Sequence, residues 1–315
     1  MISVVIPVKD GGLDLVRCLQ AIAAQRVEEE VEVVVVDSGS SDGSPARARG
    51  LGAHVVEIPA AEFTHGGSRN LGTAQARGDV VVFTTQDAYA ADERWLATLV
   101  APLREGDDRV AGVYGRQLPH TDAIPPERYF LDFLYGEIAR RQRLSSPEQL
   151  SFESTLFSNV NAAVPRAVLE RFPIANDVVM SEDQEWSRRV LLAGYEIAYE
   201  PRAVVQHSHA YSLAAAFRRF YDSGASAEWA YVSEAPESRL ALRRAGVEYA
   251  LGEVRWLWST GQRRWLPYSA MYESAKLLGL QLGLRHNRLP RALQRRFSAL
   301  QPALDDDKRL GDAGY

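Results

Sequence analysis

The chain has 315 residues, of which 46% are apolar and 24% charged, with a formal net charge of -5. This composition is typical of globular proteins and excludes a disordered, collagenous or multi-spanning membrane chain. The length suits one large catalytic unit or one and a half domains. A single cysteine, Cys18, excludes an intramolecular disulfide framework and a multi-thiolate zinc site. A chain with one cysteine best fits a reducing cytosol. The sequence shows no signal peptide and no apolar run long enough to span a bilayer, so we expect a cytoplasmic protein.

Charge is unevenly distributed along the chain. Residues 201–300 contain 15 Arg and Lys against 7 Asp and Glu, a net +8, and the other 21 basic and 34 acidic residues give -13. The basic stretch also contains Trp256, Trp258 and Trp265 beside arginines. This combination suits peripheral contact with anionic lipid at the inner face of a membrane. A solvated arginine face packed by core tryptophans explains it equally well. The negative overall charge argues against a nucleic-acid partner.

Five short β-branched segments predict strands, at residues 3–8, 31–36, 54–58, 79–84 and 110–114. Residues 33–36 are four valines, which is typical of a strand buried on both faces of a parallel sheet. Between the first two strands Leu15, Leu19 and Ile22 share one helical face, so the chain opens as a βαβ unit. The pattern predicts an α/β fold with an open, mostly parallel sheet flanked by helices. Beyond residue 212 only helices are predicted, most clearly at 213–221 and 240–251.

Acidic and small polar residues follow three of the predicted strands. Asp10 follows the first strand, Asp37 ends the second, and Thr85, Gln86 and Asp87 follow the fourth. Ligands of open α/β sheets bind beyond the carboxyl ends of the strands. Asp37 can accept hydrogen bonds from a nucleobase or ribose, although it would also suit an ordinary strand-to-helix turn. Asp87 is a candidate ligand for Mg²⁺ or Mn²⁺, because these ions prefer carboxylate oxygens and accompany nucleoside diphosphates.

In this order the motifs resemble those of the inverting glycosyltransferases of family two, which have the GT-A nucleotide-sugar fold. The resemblance covers about residues 1–225 and lies in the opening strand with Pro7, in Asp37 with Ser38, in the stretch Arg69-Asn70-Leu71-Gly72, and in Gly78-Asp79. Residues 63–70, 85–88 and 113–117 are most similar to the rhamnosyltransferase subgroup. The resemblance implies transfer of a sugar from a nucleoside-diphosphate donor to a hydroxyl of a glycan or lipid-linked acceptor. The subgroup favours rhamnose as the sugar, with dTDP-rhamnose as a donor.

The resemblance also implies a domain organisation. We expect a GT-A-type catalytic domain at residues 1–212, with a nucleotide-sugar half at 1–115 and an acceptor half at 116–212. A helical C-terminal region would follow at 213–315.

The family's D-x-D motif is altered in this chain. Thr85, Gln86 and Asp87 stand in its place, so only Asp87 matches the metal-binding acid, and Thr85 could still hydrogen-bond a ribose hydroxyl. His207 aligns with a position from which the family often supplies a metal-binding histidine, and neutral imidazole suits Mn²⁺. His209 would point the same way in an extended segment, so the choice between the two histidines stays open.

Glu182 and Asp183 match the family's E-D element, whose aspartate is the general base. Inversion requires a base that removes the acceptor proton as the acceptor oxygen attacks the anomeric carbon, and an ionised carboxylate is adequate. Both residues would equally suit the first turn of a helix over residues 184–193, where acids are favoured by the helix dipole. The two interpretations are compatible.

Several further residues are expected to contact substrates. Arg69 could bind the diphosphate as a fixed cation or pair with a neighbouring acid, and Asn70 would support the nucleotide loop. His65 precedes two glycines that allow close approach to a phosphate or sugar. Asn159 and Asn161 offer polar groups for sugar hydroxyls, and Trp186 lies either on the acceptor side or in the core.

Two rival functions remain open at this point. A sugar nucleotidyltransferase would share the α/β half, but its glycine-rich phosphate loop would need more than the short segment at residues 9–12. A catalytically degenerate binding scaffold would explain why Thr85 replaces an acid, although Asp87 and Asp183 are both present.

Overall fold

The structure, a computed structural model, describes residues 1–104, 108–227 and 236–300, without the side chains of residues 236–243. The end of the predicted C-terminal region, residues 301–315, lies outside the described residues. The described part contains no helix with the length and apolarity needed to span a bilayer.

A single mixed sheet organises residues 1–206. Its strands are β1 (Ile2–Val8), β2 (Val31–Asp37), β3 (His54–Glu57), β4 (Val80–Thr84), β5 (Tyr89–Ala90), β6 (Val110–Leu118), β7 (Arg140–Gln142), β8 (Asn161–Pro165) and β9 (Glu196–Gln206). The order is β3-β2-β1-β4-β8-β6-β9-β5, and β7 pairs with β9. Strands β1 to β4 are mutually parallel, as are β6 and β9, whereas β8 runs antiparallel to both of its neighbours.

Helices cover this sheet and continue beyond it. They are α1 (Gly12–Ala23), α2 (Ser44–Gly50), α3 (His65–Gln75), α4 (Trp95–Arg104), α5 (Pro125–Leu134), α6 (Arg166–Arg171), α7 (Glu182–Leu192), α8 (Leu213–Ala227), α9 (Pro236–Ser259), α10 (Leu266–Gly283) and α11 (Arg291–Phe297). Short 3₁₀ turns lie at Ala60–Glu62, Pro147–Gln149, Arg263–Trp265 and His286–Arg288. The predicted α/β class with a helical C-terminal part is confirmed.

Each face of the sheet carries its own hydrophobic core. Val4 and Ile6 of β1 join the core on one side with Leu15 and Leu19 of α1, whereas Val5 joins the core on the other side. This alternation follows from the two-residue period of a strand. Both faces are buried, which explains the near-continuous valines of β2.

Glycine permits the close packing of α3 on the sheet. A Cβ at Gly72 would lie 2.3 Å from Cγ1 of Val5, so a larger residue would push the helix away. Pro7 is tolerated in β1 because the pairing of β1 with β4 ends at Val5.

The five predicted strands are present, but β5, β7, β8 and β9 were not predicted as strands. In β9 the cause is Pro201, which lies where the pairing with β6 shifts register between Gly115 and Arg116. The irregularity breaks the alternation on which a strand prediction depends. In β8 the centre is Ala162 and Ala163, which have weak β propensity.

Candidate active site

The loops that follow β1, β2 and β4, at the carboxyl edge of the parallel strands, are connected by hydrogen bonds. The Lys9 backbone N–H donates to Oε1 of Gln86 at 2.9 Å, and Nε2 of Gln86 donates back to the Lys9 carbonyl at 3.1 Å. The Lys9 ammonium donates to the carbonyl of Gly39. Oδ1 of Asp10 accepts from the Ser41 N–H at 2.7 Å. This edge of the sheet is therefore preformed, and Gln86 serves as a brace between loops.

Asp37 and Ser38 shape the turn after β2. Oδ1 of Asp37 accepts from the backbone N–H groups of Gly39 and Ser40 at 3.0 and 2.8 Å. Ser38 donates its hydroxyl to the carbonyl of Val8 at 3.0 Å. The other carboxylate oxygen of Asp37 is buried and has no hydrogen-bond partner within the described part of the chain. A buried carboxylate oxygen without a donor is unusual, because it loses its hydration without compensation.

Asp87, His207 and His209 form a cluster at the same edge. One ligand atom from each residue can be chosen so that all three lie within 4.8 Å of one another. Nε2 of His207 is 3.8 Å from Oδ1 of Asp87, and Nδ1 of His209 is 3.7 Å from Oδ2. The structure thus brings both histidines to Asp87, where the sequence left a choice between them. One carboxylate and two imidazoles are a donor set that suits Mn²⁺ and related ions.

A buried glutamine orients the ring of His207. Gln117 is 3% exposed, and its Nε2 donates to the Tyr135 hydroxyl at 2.7 Å and to Oγ of Ser158 at 2.9 Å. Its Oε1 is therefore left to accept from Nδ1 of His207, at 2.9 Å. With the proton on Nδ1, the lone pair of Nε2 faces Asp87, and this is the tautomer that a metal ligand needs.

Both histidines of the cluster are neutral at pH 7. Burial, followed by the neighbouring His209, lowers the pKa of His207 to about 3, although Asp87 opposes the change. Burial also lowers the pKa of His209, again against the effect of Asp87. Metal ions bind the neutral form of imidazole, so these side chains need not lose a proton first.

Helix α7 begins with two carboxylates in different environments. Ser181, directly before the helix, has a φ of 64°, a strained value for a residue other than glycine. Glu182 is buried and accepts from the Arg69 guanidinium at 2.8 Å. Burial raises the pKa of Glu182, but Arg69, His65 and hydrogen bonds to the carboxylate together outweigh burial, and the net pKa is lowered. Glu182 is therefore ionised and paired.

Asp183 has the opposite tendency. Burial raises its pKa to about 7, and the negative charge of Glu182 adds to this effect. Its Oδ1 accepts from the Gln184 N–H at 2.9 Å, and its Oδ2 accepts from the Asn159 N–H in a longer contact of 3.4 Å. A carboxylate with a pKa near neutrality can take up and release a proton under physiological conditions.

Two consecutive residues connect this acid to the histidine cluster. Ser158 accepts from Gln117, which holds His207, and the N–H of Asn159 donates to Asp183. Both residues lie just before β8, which is the strand between β4 and β6 in the sheet. A chain of hydrogen bonds therefore links the histidine cluster to the perturbed carboxylate.

A cation that the sequence analysis did not single out lies beside the cluster. The Arg219 guanidinium of α8 is 5.5 Å from the centre of the Tyr211 ring, which is 5.1 Å from the His209 ring. Its positive charge contributes to the lowered pKa values of His65, His207 and His209. No carboxylate of the described chain lies within 4.0 Å of it. Arginine pairs are common in surface helices, so the sequence alone gave no signal.

Two residues considered for substrate contacts are buried in the protein. Asn161 is fully buried, where its Oδ1 accepts from the Trp95 indole at 2.9 Å and its amide donates to the carbonyls of Arg116 and Ala203. Trp186 is 1% exposed and donates its indole N–H to the Phe172 carbonyl, so it belongs to the core. Neither side chain has surface with which to touch a sugar.

Other predicted residues position their neighbours. Asn70 donates to the Ile174 carbonyl at 2.7 Å and to Oδ1 of Asn176 at 2.8 Å, so it fixes the loop that contains these two residues. Gly66, next to half-buried His65, is needed because a Cβ there would lie 1.9 Å from the carbonyl oxygen of Ala175. The close approach of the backbone is therefore to the protein itself.

The chain matches known proteins along most of its length. The family model described as "Glycosyl transferase family 2" matches residues 3–172. The O-antigen chain rhamnosyltransferase RfbN of Salmonella typhimurium is 32% identical over 305 residues, 94% of each chain. The O-antigen chain rhamnosyltransferase WbaN of Salmonella anatum is 31% identical over 281 residues, 87% of this chain and 86% of the relative.

Solved structures share the fold. Mannosyltransferase PcManGT from Pyrobaculum calidifontis, in complex with GDP-Man and Mn²⁺, superposes with a TM-score of 0.56 at 19% identity, covering 99% of this chain and 88% of that one. TarS 1–349 of S. aureus in complex with UDP has a TM-score of 0.51 at 15% identity, covering 91% of both chains. At these identities the likeness establishes the architecture, which is that of the GT-A glycosyltransferases.

Proposed function

Because the chain belongs to glycosyl transferase family 2 and is a glycosyltransferase, we propose that it transfers rhamnose, with inversion, from a nucleoside-diphosphate donor to a hydroxyl of a glycan or lipid-linked acceptor. The choice of rhamnose, and of dTDP-rhamnose as the first donor to test, is supported by the two O-antigen chain rhamnosyltransferases that match over most of their length. The observation that carries the proposal is the link from His207 through residues 158 and 159 to Asp183.

The donor nucleotide would lie at the preformed edge of β1, β2 and β4. The unpartnered oxygen of Asp37 is suited to accept from an N–H donor of the nucleobase. Hydrogen bonds from Lys9, Gln86 and Asp10 already connect the loops, so donor binding loses little conformational entropy in ordering them.

Asp87, His207 and His209 are proposed to hold a divalent cation, Mg²⁺ or Mn²⁺. When bound, such an ion would neutralise the donor diphosphate and stabilise the charge of the departing nucleotide. The fit rests on the donor set and on the tautomer that Gln117 imposes on His207. Arg219 would supply a second positive charge for the same phosphates, since it lies near the cluster without a carboxylate partner in the described chain.

Asp183 is proposed as the general base. It would accept the proton of the acceptor hydroxyl while that oxygen forms the new glycosidic bond and the bond from the anomeric carbon to the diphosphate breaks. Glu182 is less suited to this role, because it is held in a buried ion pair with Arg69. Its own negative charge helps to keep the pKa of Asp183 near neutrality. The pair thus divides into a structural acid and a reactive one.

A donor panel tests the proposal. We would measure melting temperatures with dTDP-rhamnose, UDP-glucose and GDP-mannose, each with Mn²⁺ or with EDTA, since a ligand of the native state stabilises it by mass action. The expected result is a shift with dTDP-rhamnose that requires Mn²⁺, followed by a rhamnosylated acceptor detected by mass spectrometry. A shift without turnover of any acceptor would favour the binding scaffold, and a preference for another donor would reject rhamnose.

A further inference from the structure

The outward side of α9 carries a row of exposed apolar side chains. Val247, Leu251, Val254 and Trp258 are 60%, 51%, 47% and 55% exposed, and we call these four residues the α9 outer face. Eight of the thirteen exposed large apolar side chains in the described chain lie in residues 244–300, so this part of the surface is unusual. Scattered exposed apolar residues are ordinary, whereas a contiguous row indicates a binding surface.

The spacing of the α9 outer face is that of one side of a helix. Its residues are four, three and four positions apart, and residues at such intervals lie above one another. The opposite side of α9 is already packed, since Tyr249, Glu253 and Leu257 are buried. Tyr249 contacts Tyr129 and Phe133 of α5. A helix that only covered the protein would be polar on its outer side, so this helix has a second apolar side without a described partner.

The charges around this face are mostly positive. Between residues 244 and 265 the exposed charged side chains are those of Arg244, Arg255, Arg263 and Arg264 against Glu248. The Arg263 guanidinium lies 4.0 Å from the centre of the exposed Trp258 ring. Of the three tryptophans noted in the sequence, Trp256 packs on Tyr129 and Trp265 packs on Tyr268, so only Trp258 is on the outer face.

We propose that the α9 outer face binds the surface of an anionic lipid bilayer. Apolar side chains bordered by arginines match a bilayer interface, where acyl chains take the apolar groups and anionic headgroups pair with the guanidinium groups. A second copy of the chain fits less well, because a two-fold contact through this face would bring the same arginines together. The proposal depends on α9 alone, and neither the donor nor the base needs to be as proposed above.

Vesicle sedimentation of the full chain tests this surface. Wild-type protein is expected to sediment with vesicles of phosphatidylglycerol and phosphatidylcholine, to remain in the supernatant with phosphatidylcholine alone, and to be partly released by high salt, since salt screens the arginines. The double variant Leu251→Ser with Val254→Ser should lose at least tenfold in partitioning to the anionic vesicles. Leu51→Ser removes a side chain of similar exposure, 45%, from the nucleotide half and should have no effect.

Two controls keep the test decisive. All four side chains of the outer face are exposed, so the double variant should retain the wild-type melting temperature and the activity on a water-soluble acceptor. Sedimentation equilibrium of the wild type without lipid should give a monomer. Equal binding of the wild type and the double variant would overturn the proposal. It would also be overturned by a wild-type dimer that the double variant converts to monomer, which would identify a second copy as the occupant.

Discussion

Arg69 and Glu182 form a buried ion pair, 2.8 Å between guanidinium nitrogen and carboxylate oxygen, that joins α3 to the first turn of α7. The two side chains are 5% and 7% exposed. Arg69, which the sequence suggested as a cation for the diphosphate, is thus paired with Glu182. Asp183 is the acid of the two whose pKa is raised. Adjacent residues of one E-D element are therefore given different protonation behaviour by a partner 113 positions away.

Asp183→Asn should abolish transfer while donor binding is retained. The substitution removes the proton acceptor but leaves the Asp87 cluster and the Arg69 pair in place, and loss of a general base typically costs ~10²–10⁴ in rate. Initial rates and donor affinity by calorimetry would measure the two effects separately. A variant that still transfers sugar at close to the wild-type rate would reject Asp183 as the base.

Glu182→Gln provides the matched comparison. Removing one member of a buried ion pair leaves the other charge uncompensated, which typically costs about 3–5 kcal/mol of folding stability. We expect a large fall in the melting temperature for this variant and little change for Asp183→Asn. If Glu182→Gln were instead fully stable and inactive, Glu182 would become the candidate base.

The activity of the wild-type enzyme should rise with pH through about 7. The reactive form of Asp183 is the ionised one, and its pKa is raised to about 7, so kcat/KM should fall about tenfold for each pH unit on the acid side. The effect on stability has the opposite sign. A raised carboxyl pKa means that folding favours the protonated form, so stability should fall as pH rises from about 4 to about 7 and level off above that, and Asp183→Asn should lack this fall. Matched pH series of rate and melting temperature check both directions.

Gln117→Met should weaken Mn²⁺ binding without removing any metal ligand. The methionine side chain has a similar size but cannot accept from Nδ1 of His207, so the imidazole loses its imposed orientation and tautomer. Loss of such an outer contact typically lowers metal affinity about 10–100-fold.

Asp87→Ala should abolish metal-dependent donor binding, and His207→Ala should weaken it more than His209→Ala, because His207 is the more buried and the better oriented ligand. Nucleotide affinity that is equal in EDTA and in Mn²⁺ would reject a metal role for all three residues.

The fold was predictable from the sequence where the chain is locally regular. The valines of β2 and the apolar face of α1 specify buried elements through periodicity alone. The strand β9 was missed since Pro201 interrupts it, and β8 was missed since Ala162 and Ala163 carry almost no strand signal. In both cases the neighbouring strands, which are distant in sequence, determine the conformation.

The site was predictable as a set of residue types but not as a set of partners. Motif order was enough to name Asp87, His207 and His209 as candidates. It did not predict that both histidines face the same carboxylate. Nothing local to Gln117 indicates that it holds His207, because that bond spans 90 positions. Burial by distant elements is invisible in a motif, so the sequence offered Asn161 to a sugar and left Trp186 open between the acceptor side and the core.

Arg219→Gln should raise the KM for the donor about tenfold or more and leave the melting temperature unchanged. The guanidinium is exposed and has no carboxylate within 4.0 Å in the described chain, so its removal costs the fold little. Charge-assisted hydrogen bonds to phosphate are typically worth about 1.5–3 kcal/mol, which corresponds to about one or two orders of magnitude in affinity. Arg219→Lys keeps the charge but not the planar fork and should recover part of the loss. Arg218→Gln, at the exposed neighbouring position of α8, serves as the control and should bind the donor like the wild type. If free nucleoside diphosphate bound Arg219→Gln and the wild type equally well, Arg219 would have no part in holding the phosphates, and its place near His209 would reflect only its contact with the Tyr211 ring.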